Sequence, residues 1–85
     1  MNWEVLPMKA HIKYFGMIAE KIGKSEESVD LDEKNQSDLR NYFVQKYTFL
    51  NEMDYQIAVN QNLTEVIDNT SEFVEIALLP PFAGG

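Results

Sequence analysis

The chain has 85 residues, 45% of them apolar, and a formal charge of −7 from 14 acidic and 7 basic side chains. That length argues for one domain burying about 60–65% of its unfolded surface, with a real core but little room for a deep cleft. The acidity disfavours nucleic acid as a partner; it suits a basic protein partner, or simple solubility.

Residues 1–7, MNWEVLP, fit no pattern and are expected to form a flexible extension. They have neither the basic start nor the apolar run of a signal peptide. Met8, Ala10, Ile12 and Tyr14 alternate with Lys9, His11 and Lys13, so Met8–Phe15 is expected to be a strand. Gly16 breaks it. Ile18, Ala19 and Ile22 recur at helical spacing ahead of Gly23, which predicts a short helix over 17–22 with a glycine C-cap. Lys24–Ser28 reads as a polar turn, and Val29 and Leu31 as a short second strand.

Asn35 is expected to cap the main helix, over about residues 36–47, with Asp38 in its first turn. Leu39, Tyr42, Phe43 and Tyr47 form its apolar stripe, which core packing explains better than ligand binding. Gln56–Val59 reads as a strand ending in an Asn60-Gln61 turn, and Leu63 with Val66-Ile67 as a further short strand. Phe73–Leu79 is long and apolar on both faces, which predicts a strand in the middle of a sheet and covered on both sides. The order implies an α+β fold, with a mixed sheet on one main helix over residues 8–79.

The last six residues, Pro80-Pro81-Phe82-Ala83-Gly84-Gly85, are read as an extended functional tail. The two prolines cannot donate to a sheet ladder and favour a stiff path of up to about 20 Å. No charged side chain follows Glu75. Gly84 and Gly85 lack Cβ atoms and fit a narrow channel. The α-carboxylate on Gly85 is a poor electrophile until it gains a better leaving group, such as the phosphate of an acyl-adenylate. Chance alone gives a Gly-Gly end roughly once in 200 chains.

Lys13-Tyr14-Phe15-Gly16 with Ala19-Glu20, Ala58-Val59-Asn60 and above all Ile76–Gly85 resemble the small subunits of molybdopterin synthase, the MoaD family. The resemblance spans about residues 8–85. It implies a β-grasp, ubiquitin-like fold. It implies that Gly85 is adenylated by an ATP-dependent adenylyltransferase and converted to a thiocarboxylate. The tail would then enter the large synthase subunit and give its sulfur to cyclic pyranopterin monophosphate (precursor Z). A heterotetramer of two large and two small subunits follows. On this reading Ala83 and Gly84 thread the channel, while Leu79, Pro80, Pro81 and Phe82 contact the partner. The carrier itself is not catalytic and binds no cofactor; ATP belongs to the activating enzyme. Departures from the family pattern are Gln61 where glycine is common, and Glu72-Phe73-Val74 in place of a glycine turn.

Other features point elsewhere only weakly. Cysteine is absent, which removes disulfides, thiolate metal sites and cysteine nucleophiles, and fits the cytoplasm. No apolar run approaches the roughly 20 residues of a membrane helix. His11 has no partner constellation and is expected on the surface. Glu26, Glu27, Asp30, Asp32 and Glu33 lack calcium-loop spacing and read as a solvated acidic turn, so no metal is expected. Three other functions share these features: a carrier for thiamine thiazole synthesis, a ubiquitin-like modifier joined through Gly85, and an interaction domain with an inert tail. Pro80-Pro81 favours the molybdopterin pathway over the thiazole one.

Overall fold

The computed structural model describes residues 8–68 and 73–81. Residues 1–7, 69–72 and 82–85 lie outside this description, and with them the expected N-terminal extension. Strand β1, Met8–Tyr14, leads into helix α1, Gly16–Ile22. Strand β2 follows at Glu26–Leu31, then helices α2, Glu33–Gln36, and α3, Leu39–Lys46. A 3-10 turn at Thr48–Glu52 precedes β3, Gln56–Val59, β4, Asn62–Leu63, and β5, Phe73–Leu79.

The five strands form one sheet in the order β2-β1-β5-β3-β4. β1 and β5 run parallel at its centre, in register from Lys9 opposite Phe73 to Tyr14 opposite Leu78. β2 lies antiparallel to β1, and β3 antiparallel to β5. The alternation in β1 and β5 sends Ala10, Ile12, Val74, Ile76 and Leu78 to one face, where each is fully buried. Leu39 and Phe43 from α3, Ile18 from α1 and Leu50 complete that core. This is the expected α+β arrangement with a mixed sheet, and β5 is central as expected.

Four expectations need correction. Among the described residues β5 is fully covered on one face only: Phe73 is 55% exposed, and Ala77 and Leu79 are half-buried. The opposite face of the sheet carries polar neighbours instead, including Lys13 paired with Glu75 at 3.5 Å. The main helix is two helices. Asp32, not Asn35, caps α2, accepting from the Asn35 N–H at 2.8 Å. Asp38 lies outside the helical turn and caps α3 through the Asn41 N–H at 3.1 Å. Each cap satisfies an end donor that would otherwise be orphaned, so two aspartates six positions apart start two helices.

The other two corrections concern strands. β2 begins at Glu26, inside the stretch read as a turn, because Glu26–Ser28 pair with His11–Lys13. The segment at Val66-Ile67 is not a strand. Its backbone docks on the helices instead: Leu39 N–H donates to Glu65 O at 2.9 Å, and Ile67 N–H to Gln36 O at 2.8 Å. The Asn60-Gln61 turn forms as expected, with φ of 48° and 72°. β5 braces it, since Asn60 N–H donates to Glu75 O at 2.8 Å and Asn60 Oδ1 accepts from Glu75 N–H at 3.0 Å. Both bonds fix Asn60, the first of the two left-handed residues.

Tyr55 is 5% exposed, and its hydroxyl has no hydrogen-bond partner among the described residues. Its ring packs under the Arg40 guanidinium at 4.5 Å. An unpaired buried hydroxyl destabilises, whereas the ring's packing stabilises. Tyr55→Phe is therefore expected to leave stability unchanged or raise it by up to about 1 kcal/mol, as read by urea unfolding. Tyr55→Ala, which removes the ring, should cost about 3 kcal/mol or more.

Candidate functional site at the root of the tail

The candidate site begins where β5 leaves the sheet. Leu78 is fully buried between Tyr14 of β1 and Ile57 of β3. Leu79 is the last strand residue; it is half-buried opposite Gln56. Pro80 is half-buried and Pro81 exposed. Phe82, Ala83, Gly84 and Gly85, the remaining expected site residues, lie outside the described residues. The root is thus held on both sides by strand neighbours, and the first residue past the ladder has no N–H to pair.

The end of β1 flanks this root. Phe15 caps α1 in an extended conformation, with Ile18 N–H donating to its carbonyl at 3.2 Å. Gly16 follows at φ 56°, a left-handed value that favours glycine. Phe15 and Met17, on either side of Gly16, are 43% and 45% exposed. Large apolar side chains exposed beside the root suit a partner contact. Residue-by-residue reading missed them, because Phe15 continued the strand pattern and Met17 the helix.

Beneath the root lies a cluster centred on Glu27, a residue expected in a solvated acidic turn. Glu27 points to the core side of the sheet edge, with its side chain 14% exposed. It accepts hydrogen bonds from the hydroxyls of Tyr14 and, at 2.5 Å, Tyr47. Lys24 and Lys46 each approach it at 3.4 Å. The two tyrosine rings meet edge to face, with centroids 5.8 Å apart. Burial pulls the Glu27 carboxyl upward, but the two hydroxyls and then the two ammonium groups outweigh it and hold the pKa at about 2. Burial, reinforced by the Glu27 hydrogen bond, pushes the Tyr14 hydroxyl far above the usual phenol range. The signal was present in the sequence as a strand with Glu27 on the same face as Val29 and Leu31. A charge on that face reads as a turn unless its partners, distant in sequence, are known.

His11 is half-buried rather than fully exposed, with Nε2 3.2 Å from Glu26 and Nδ1 3.5 Å from Ser28 Oγ. Among the described residues no group of three His, Asp or Glu side chains is placed to hold a metal ion. Nor is any described helix long and apolar enough to cross a membrane. At this end of the described chain the structure shows a braced, apolar strand exit, Leu78 to Pro81.

The family model for ThiS matches residues 12–85, nearly the whole chain. The chain belongs to the ThiS/MoaD family. It is a sulfur carrier of that family, a class of non-catalytic proteins. This carrier is 32% identical over 79 residues to the "Molybdopterin synthase sulfur carrier subunit" of Caenorhabditis briggsae, covering 87% of this chain and 94% of that one. Its fold matches a Pyrococcus furiosus protein described as a candidate molybdopterin converting factor, subunit 1, with a TM-score of 0.69 at 21% identity, over 87% of this chain and 98% of the other. It also matches the small archaeal modifier protein 1 of Methanosarcina acetivorans, with a TM-score of 0.65 at 18% identity, over 93% and 98% of the two chains. Both likenesses establish the β-grasp, ubiquitin-like fold.

The Glu27 cluster makes a pH prediction for this carrier. A carboxyl lowered from 4.5 to about 2 favours the folded state above pH 4.5, and that contribution is lost as pH falls towards 2. Glu27→Gln is expected to cost about 2 kcal/mol at neutral pH. The gap from the unsubstituted chain should narrow steadily on acidification from pH 4.5. Urea unfolding of both proteins at several pH values checks this; a gap independent of pH would contradict it.

Proposed function

We propose that this chain is the sulfur carrier subunit of molybdopterin synthase. The observation that carries the reading is its 32% identity, across most of both chains, to a protein of that name. The ending Leu79-Pro80-Pro81-Phe82-Ala83-Gly84-Gly85 supports it, since a side-chain-poor carboxyl end is what the transfer chemistry needs.

In the proposed cycle a partner adenylyltransferase binds ATP. A Gly85 carboxylate oxygen attacks the α-phosphorus, pyrophosphate leaves, and an acyl-adenylate forms. A sulfide-equivalent nucleophile adds to the acyl carbon and expels AMP, leaving a thiocarboxylate. The loaded tail enters the large synthase subunit, where its sulfur passes to the pterin precursor and water restores the carboxylate. Ala83 and Gly84 pass the narrow part of the channel. Leu79, Pro80, Pro81 and Phe82 make the apolar contact at its mouth, with Phe82 as the anchor. This chain supplies no catalytic group; it delivers the reacting atom.

A modifier would begin with the same activation and end on a lysine of a target. The fold is common to both kinds of protein, and the sequence identity favours the carrier. Deleting Gly84 and Gly85 tests the proposal. Sulfur transfer in a reconstituted synthase should be abolished, while the far-ultraviolet circular dichroism stays that of the full chain, because the core is assembled before Pro80. Retained transfer would contradict the reading.

A further inference from the structure

The last rung of the parallel ladder joins Tyr14 to Leu78. Two residues past that rung come Gly16, the first residue of α1, and Pro80, the first beyond β5, and there the two segments nearly touch. A Cβ placed on Gly16 would sit 2.9 Å from Pro80 Cγ, closer than a carbon–carbon contact allows, with Pro80 Cβ and Cδ at 3.9 Å. Gly16 therefore meets two demands at once: a φ of 56° and a surface flat enough to seat a proline ring. That ring fixes its own φ near −65°, so seating it also restricts the path of the next peptide.

We propose that the contact between Gly16 and Pro80 aims the tail, making both of them positioning residues for sulfur delivery. The inference rests on the sulfur-carrier reading and adds to it. Neither residue touches the reacting atoms. Their role is to restrict the directions the chain can take as it leaves the sheet. A tail whose root is fixed brings its end to one place in the channel, whereas one that pivots at its root carries the misplacement to the reacting atom. Small errors of placement at the reacting atom are costly, with a displacement of about 1 Å able to slow a reaction on the order of a hundredfold.

A double-mutant cycle in the reconstituted transfer reaction tests the proposal. Gly16→Ala adds the colliding methyl group, and Pro80→Ala removes the Cγ it would strike. Backbone strain from alanine at position 16 is present in both backgrounds and cancels in the cycle, leaving the contact itself. Gly16→Ala is expected to lower kcat on the order of tenfold, with KM for the partner subunit unchanged. In the Pro80→Ala background the same substitution should lower kcat far less. Pro80→Ala alone should also lower kcat, whatever it does to KM through the partner contact, and that loss of kcat carries the test if Gly16→Ala does not fold. Equal losses in both backgrounds, or losses confined to KM, would overturn the proposal and leave the carrier reading intact. An unsubstituted chain that transfers no sulfur would overturn both.

Discussion

The parallel pairing of β1 with β5 is the constraint on which the rest of the molecule depends. It places the last strand in the middle of the sheet, with β1 on one side and β3 on the other. Val74, Ile76 and Leu78 of that strand are fully buried, so β5 cannot shift without opening the core. The chain therefore leaves the domain from its most firmly held element. Leu78, Leu79 and Pro80 pass from full to partial burial within three residues, so the change from core to exit is abrupt. On the proposed function, a terminus handed between enzymes would benefit from such a root, because the body can stay folded while the end is modified.

Electrostatics reinforce the same region. Glu27 lies on the edge strand β2, yet its two hydroxyl partners come from the end of β1 and the end of α3. One carboxylate thus ties three elements together next to the strand exit. The partly buried carboxylate is compensated by both hydroxyls and two ammonium groups that face it. In a domain of 85 residues, where net stability is small, a fastening of this kind matters more than it would in a large protein.

Much of the fold was legible from local pattern. β1 alternates cleanly, Gly23 caps α1 at φ 89°, and Asn60 starts a left-handed turn, each as its residue type requires. What failed depended on partners distant in sequence. The helix break at Ser37 was hidden because Leu39, Tyr42 and Phe43 keep helical spacing regardless of where the helix starts. Glu26–Ser28 looked like a turn because nothing local shows that their neighbours are His11–Lys13. The apolar residues Phe73 and Leu79 suggested a covered second face, but no element of the chain among the described residues buries them fully. The exit at Pro80 was legible from the two prolines after β5. The seat for Pro80 was not, since it follows from the register between two strands about sixty residues apart.

The central claim concerns one atom at the end of the chain. Incubating the full chain with its activating enzyme, ATP and a sulfur donor, then weighing it intact, tests that claim most directly. The account predicts a mass gain equal to replacement of one oxygen by sulfur, confined by fragmentation to Gly85. An unchanged mass, or the appearance of the chain joined to lysines of other proteins in place of that exchange, would contradict it.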